Sequence, residues 1–267
     1  MRIGKKEFDE NKTYVMGILN VTPDSFSDGG RFVTMDKVIE RAQQMKQEGA
    51  AIIDVGGEST RPGYTMISSA EEISRVVPAI EAIKARLDIP VSIDTYKSDV
   101  AEAAICAGAD MVNDIWGMQY DVKMAKTIKQ YDVCVTLTHN KNKPSYDDFV
   151  PDLKNELMHL AESALKHGID KYKIILDPGI GFAKSTEQNL IVMRELAELA
   201  KLGYPILLGA SKKSFIGNTL ELPVSERVEG TLATTAVAVQ SGVNFVRVHD
   251  VKENVRLIKM LESIRDV

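Results

Sequence analysis

An α/β fold, a closed (β/α)8 TIM barrel forming a single domain over residues 1–267, is what this sequence predicts. Three observations carry the prediction. Eight short apolar runs rich in β-branched residues recur along the chain, the segments between them place apolar residues at helical spacing, and no linker or low-complexity tract interrupts the alternation. Near-continuous hydrophobicity is what parallel strands covered by helices require. A doubly wound open sheet would show the same alternation and is the runner-up.

The elements follow in order. The opening residues, MRIGKKEFDENK, leave room for a short hairpin across the bottom of the barrel. The first strand is TYVMGILN, whose apolar part, Val15 to Leu19, stops at Asn20. PDSFSDGG follows, rich in residues that break regular structure, and reads as a loop. The second strand, AAIIDVGG, leads into a second polar loop, ESTRPG. A helix then starts at SSAEE, where Ser68 and Glu71 have capping-box spacing, and Ile73, Val76, Val77, Ile80, Ile83 and Leu87 form its apolar stripe. PVSIDT, DMVNDI and DVCVTLTHN are strands three to five, and Leu153, Leu157, Leu160 and Ala164 mark the helix after the fifth. KIILDPG is the sixth strand, with a helix opening at STEQ through Ser185 and Gln188. YPILLGAS and NFVRVHD are the last two, and DVKE, with Asp250 and Glu253, is a weaker helix start.

Composition bounds the function. Hydrophobic residues at 44% and charged residues at 27% exclude disordered and collagen-like classes. No apolar run reaches membrane-spanning length, and the N-terminus lacks the apolar region of a secretory signal, so a cytoplasmic protein with no membrane partner is expected. A net charge of −5 without a long Lys/Arg tract argues against nucleic-acid binding. Cys106 and Cys134 have no metal-site spacing and read as small core residues.

Barrel enzymes build their sites from the C-terminal ends of the strands. Here those ends read Asn20, Asp54, Asp94, Asn113 with Asp114, His139 with Asn140, Asp177, the SKKS run at 211–214, and Arg247 with His249. Any one of these could merely end a strand or cap a helix; eight on one face point to a site. Asp94, Asn113 and Asp177 can accept hydrogen bonds from a flat, donor-rich nitrogen heterocycle, with Lys213 able to donate to its carbonyl or ring nitrogens. Arg247 and His249 lie two apart on one strand, share a face, and with Arg61 offer cationic donors to phosphate oxygens. Asn20 either supplies a neutral amide oxygen to Mg²⁺ or simply ends its strand. The sequence thus divides the mouth into a heterocycle half and an anion half.

The stretches GILNVTPDSFSDGG, IDVGGESTRPG, VSIDT, LDPGIGFAK and RVHD, in this order from Tyr14 to His249, resemble the dihydropteroate synthase family of pterin-binding barrels. The resemblance implies condensation of 6-hydroxymethyl-7,8-dihydropterin pyrophosphate with p-aminobenzoate to 7,8-dihydropteroate and pyrophosphate, assisted by Mg²⁺. It assigns the pterin to Asp94, Asn113, Asp177 and Lys213, and pyrophosphate with metal to Asn20, Arg61, Arg247 and His249. The p-aminobenzoate pocket would draw on Phe26, Thr60 to Pro62, Phe182 and Ser214. It also implies mobile first loops and a homodimer packed through late helices. Asp94, Lys213 and Asn20 are the expected catalytic residues.

Two positions depart from the family pattern: the fifth strand ends with Thr138 before His139 where Met is usual, and the seventh carries Lys212 where Arg is usual. Lys212 keeps charge but loses the planar fork. A methyltetrahydrofolate–corrinoid methyltransferase would share the pterin residues yet has no use for the anion site. A non-catalytic pterin-binding paralogue would be favoured by substitutions at Asn20, Asp94 or Lys213, and all three are present.

Overall fold

The computed structural model describes residues 1–22, 31–58 and 66–267, with residues 31–34 described by their backbone alone. β1 (Arg2–Ile3) and β2 (Lys6–Glu7) form an antiparallel hairpin. Then come β3 (Tyr14–Asn20), α1 (Arg31–Glu48), β4 (Ile52–Gly56), α2 (Ser69–Arg86), β5 (Val91–Asp94), α3 (Ser98–Cys106), β6 (Met111–Asp114), α4 (Met124–Tyr131), β7 (Cys134–Thr138) and α5 (Phe149–Lys166). β8 (Ile174–Asp177) is followed by α6 (Thr186–Arg194) and the short α7 (Leu196–Leu199), and β9 (Leu207–Leu208) by α8 (Ser214–Leu220) and α9 (Val228–Gln240). β10 (Phe245–Val248) and α10 (Val251–Arg265) end the chain.

Strands β3 to β10 form one parallel sheet in the order β8-β7-β6-β5-β4-β3-β10-β9. A parallel bridge between Leu176 and Ile206, with the Leu176 N–H donating to Pro205 O at 2.9 Å, joins β8 to the segment entering β9. The sheet therefore closes, and the open doubly wound alternative is excluded.

The two-residue period of the strands sorts their side chains. Val15, Leu19, Ile53, Val55, Ile93, Val135, Leu137, Ile174 and Leu176 pack outward against the helices. Met16, Ile52, Met111, Cys134, Ile175, Leu207 and Phe245 pack inward, where Ile3 and Phe8 from the hairpin region cover them from below. Fully burying each large apolar side chain contributes about 1.5–3 kcal/mol, so both layers hold the strand register. Phe8 meets Tyr14 and Phe245 edge-on at 4.9 and 5.4 Å, sealing that floor.

Several local readings are refined. Ser185 and Gln188 form a complete capping box. Ser68 accepts from Glu71 N, but the Glu71 carboxylate turns to Arg75, so only half of that box exists. Asp250 makes no side-chain cap, because Lys212 Nζ holds its carboxylate at 2.9 Å. Leu87 is the extended C-cap of α2, one residue past the helix, and still packs against the core with the rest of the stripe. Cys134 is buried as expected, whereas Cys106, on the last turn of α3, is exposed: it faces Tyr131 and not the core.

Candidate active site

Above the apolar floor the same inward positions become polar. Asp54 on β4, Ser92 and Asp94 on β5, Asn113 on β6, Thr136 and Thr138 on β7 and Asp177 on β8 are all buried. Arg247 on β10 reaches across them: its Nε donates to Asp54 Oδ2 and its Nη2 to Asp94 Oδ2, each at 2.6 Å. Asn113 Nδ2 donates to the same Asp54 oxygen at 3.3 Å. Six buried atoms here have no hydrogen-bond partner: Asp54 Oδ1, Ser92 Oγ, Asp94 Oδ1, Asn113 Oδ1, Thr136 Oγ1 and Thr138 Oγ1. A buried polar atom left unpaired costs about 1–3 kcal/mol, so such a group in one interior marks a place for a ligand rich in donors.

Glycines keep the mouth open beside these groups. A methyl group on Gly56 would lie 3.3 Å from Asn20 Oδ1 and 3.7 Å from Asp94 Oδ2, which puts Asn20 and Asp94 on either side of that glycine. A methyl group on Gly209 would lie 3.7 Å from Asp177 Oδ2 and 3.8 Å from Lys213 Nζ. Asp177 Oδ1 accepts from Gly179 N at 2.8 Å. Lys213 Nζ donates to Ile180 O and stands 4.7 Å from the centre of the Phe182 ring.

Burial sets the electrostatics. It pushes the Asp94 carboxyl up to about 7, with Arg247 opposing that shift and Asp54 adding to it. Burial also raises Asp177, against the pull of Lys213. Lys213 falls to about 8, because desolvation of the ammonium outweighs the attraction of Asp177. Burial works against the charge on Arg247, but Asp94 and Asp54 together raise its pKa further. One guanidinium among buried carboxylates makes this a charge-compensated centre.

The expected residues can now be placed. Asn20, Asp94, Asn113, Asp177, Lys213, Arg247 and Phe182 converge on the barrel mouth. His249 stands at its rim, with Nδ1 3.0 Å from Ser211 Oγ. Ser214 is exposed as the first residue of α8. Phe26, Thr60, Arg61 and Pro62 lie outside the described residues. Arg247 sits inside the acidic cluster, where buried Asp54 and Asp94 need a cation, so the expected heterocycle and anion halves adjoin at this residue.

Of the other strand-end groups, Asp114 accepts from Trp116 N at 2.8 Å and Met118 N at 2.7 Å, shaping its own loop. His139 pairs with Glu156 at 2.5 Å and takes no place in the cluster. Thr138 does point inward and leaves its hydroxyl unpaired. Lys212, at φ 55°, turns away to Asp250, so its identity bears on the β9–α8 turn and not on the acidic centre. Ser92 and Thr136 are inward polar positions of the cluster that strand ends alone did not single out; their alternation with Ile93 and Val135 is the signal that finds them.

Fold and site define a barrel enzyme for a flat, donor-rich heterocycle. A family model described as pterin binding enzyme matches residues 16–249, and the chain belongs to that family. Within it, the chain is 54% identical over 266 residues to the dihydropteroate synthase of Clostridium beijerinckii, covering 99% of both. A crystal structure of dihydropteroate synthase from Clostridium difficile in the presence of pteroic acid superposes with a TM-score of 0.93 at 51% identity, covering 97% of this chain and 98% of that one. The Xanthomonas albilineans enzyme with 4-aminobenzoic acid superposes with a TM-score of 0.92 at 39% identity, covering 97% and 95%.

Proposed function

We propose that this chain condenses 6-hydroxymethyl-7,8-dihydropterin pyrophosphate with p-aminobenzoate, releasing 7,8-dihydropteroate and pyrophosphate, the dihydropteroate synthase reaction of folate biosynthesis. The observation that carries the reading is the group of six unpartnered buried polar atoms facing the barrel interior. A reduced pterin presents ring N–H groups and an exocyclic amine in one plane, the pattern those acceptors match. Asp94, Asn113 and Asp177 are its acceptors and Lys213 its donor.

Carbon–oxygen cleavage at the pterin methylene leaves positive charge on the ring and negative charge on pyrophosphate. Asp94, fixed at the ring side by Arg247, stabilises the first. Of the five N–H donors of Arg247, its ion pairs use two, so the others and His249 can meet phosphate oxygens. The arylamine of p-aminobenzoate is weakly basic and attacks the methylene as a free base, losing its proton afterwards. Positioning it is therefore the larger demand on the protein. Phe26, Thr60, Pro62, Phe182 and Ser214 are proposed for that second pocket, with Arg61 proposed to bind pyrophosphate.

Mg²⁺ is part of the proposal. Among the described residues no group of three or more His, Cys, Asp or Glu side chains could hold a metal. One amide oxygen, Asn20 Oδ1 at the mouth, suits a cation carried in mostly by pyrophosphate and water. When bound, the ion would disperse the leaving group's charge. A homodimer is also proposed, on the exposed Val237 of α9 and Met260 and Ile264 of α10, apolar groups on adjacent late helices. The working compartment proposed is the cytoplasm; among the described residues no helix is long and apolar enough to cross a membrane.

The test is pyrophosphate release by purified protein. Release should require both substrates and rise with p-aminobenzoate. Normal pterin binding with no release under those conditions would instead make the chain a non-catalytic pterin binder.

A further inference from the structure

Beside the acidic centre lies a second buried charge cluster that the reaction as described does not use. Lys97, three residues beyond the end of β5, directs its ammonium at Glu58 Oε2 at 2.5 Å, Glu72 Oε2 at 2.7 Å and the carbonyl of Ile67 at 2.8 Å. All three N–H donors of the ammonium are thereby used. Glu58 also accepts from Tyr96 Oη at 2.6 Å and from the backbone N–H of Ile67 at 3.1 Å. Glu58, Glu72, Tyr96 and Lys97 are 4%, 1%, 2% and 8% exposed. Burial raises the pKa of Glu72, while the two carboxylates raise that of Lys97 and hold it charged.

The placement of this cluster gives it meaning. Glu58 lies two residues past β4, and Ile67 precedes Ser68, the N-cap of α2. Lys97 thus touches the last described residue before segment 59–65 and a residue just after it, a segment that leaves a barrel strand at its C-terminal end and carries Arg61. Glu72, on the first turn of α2, anchors the same ammonium to the helix that receives the segment. A buried ion pair adds little net stability compared with apolar packing of the same volume, so stability alone does not account for a charge triad at this point. We infer that Lys97 is a positioning residue for the reaction: by gripping Glu58 and Ile67 together it fixes the two ends of the β4–α2 connection against the barrel mouth. The residue acts on turnover through that connection and touches no substrate itself.

The inference rests on the synthase reading, and the wild-type assay tests that reading separately. Three variants are compared with wild type: Lys97→Met, the double variant Lys97→Met with Glu72→Leu, which leaves the net charge unchanged, and Lys97→Arg. The double variant removes the ammonium's hold on the Ile67 carbonyl, while the Glu58 carboxylate keeps its Tyr96 and Ile67 N–H donors. In it, kcat/KM for p-aminobenzoate should fall by about tenfold or more, as misplacement of a contributing segment does. The dissociation constant for 6-hydroxymethyl-7,8-dihydropterin pyrophosphate, by calorimetry without p-aminobenzoate, should stay within about threefold of wild type, since the main pterin ligands remain. Lys97→Arg, which restores a cation, should recover part of the loss.

Unchanged kcat/KM in a folded double variant overturns the inference. So does a double variant that fails to fold or weakens pterin binding in step with turnover, because the cluster would then hold the barrel itself.

Discussion

Replacing Asp94 by Asn should separate catalysis from stability. The substitution keeps the shape of the side chain and removes the carboxylate proposed to face the ring, which binds Arg247 Nη2 at 2.6 Å. If Asp94 stabilises a developing ring cation, its loss resembles removal of one preorganised electrostatic group, about 2.7–4 kcal/mol or a factor of about 10²–10³ in kcat. Folding should respond differently. Burial raises the folded-state pKa of Asp94 from 3.8 to about 7, so between these values the folded protein holds a proton that the unfolded chain has lost. Wild-type stability from this group therefore falls as pH rises through that window, by at most about 1.4 kcal/mol per pH unit, and the full penalty stands above it. Asn carries no such penalty, and Arg247 retains Asp54. The variant's thermal midpoint at pH 8 should match or exceed that of wild type, while turnover measured by pyrophosphate release collapses. Turnover within a few-fold of wild type would refute the electrostatic role; a collapse of the midpoint together with turnover would make Asp94 a structural partner of Arg247.

Lys213, held down at about 8 by burial, should lose its charge as pH rises through that value, so pterin affinity measured by calorimetry from pH 6 to 10 should weaken above pH 8; in Lys213→Met that alkaline limb should vanish. Gly179→Ala should destabilise the fold by several kcal/mol in chemical denaturation, because φ is 71° there and the added carbon would lie 2.0 Å from His139 O, a backbone atom that cannot step aside. Chelating Mg²⁺ should abolish pyrophosphate release, which excess Mg²⁺ then restores, while a pterin lacking pyrophosphate should bind with unchanged affinity, since its acceptors lie in the barrel wall; an equal loss of pterin binding would place the metal against the ring.

The barrel was legible because its signal is repeated eight times and each repeat needs only local information: an apolar run, a polar end, a helical stripe. The residues converging on the mouth were legible for a related reason, since a parallel barrel delivers every strand end to one face. Partnership was not legible. From sequence, Arg247 is a free cation two residues from His249; only closure of β10 beside β3 and across from β4 and β5 shows that it lies between Asp54 and Asp94. Lys212 likewise reads only as a charge without the planar fork until the turn at φ 55° aims it at Asp250. Cys106 failed for a smaller reason, because its place on the last turn of α3 decides which way the side chain faces.

The lysines of the mouth show how function and framework share one chemistry. A strand that ends at a barrel rim leaves backbone carbonyls beyond it with no ladder to join, and buried carbonyls need donors. One ammonium supplies three donors in different directions. Lys184 Nζ donates to Gly179 O and Phe182 O at 3.2 Å each and to His139 Nδ1 at 2.8 Å. That bond requires Nδ1 of the neutral imidazole to be the acceptor, and His139 is held neutral by burial, which lowers its pKa to about 4. Its Nε2–H is then the group facing Glu156. Lys213 takes the carbonyl of Ile180 in the same loop, and Lys97 that of Ile67 in another. The β8–α6 loop is thus pinned at residues 179, 180 and 182, which holds Phe182 beneath Lys213. A lysine after a barrel strand is easily taken for a substrate ligand. Of these three, Lys213 stands across Gly209 from Asp177 Oδ2, and its proposed role as a pterin ligand rests on that placement. Lys184 instead spends its donors on loop carbonyls and His139, and Lys97 on Ile67 and the Glu58 and Glu72 carboxylates.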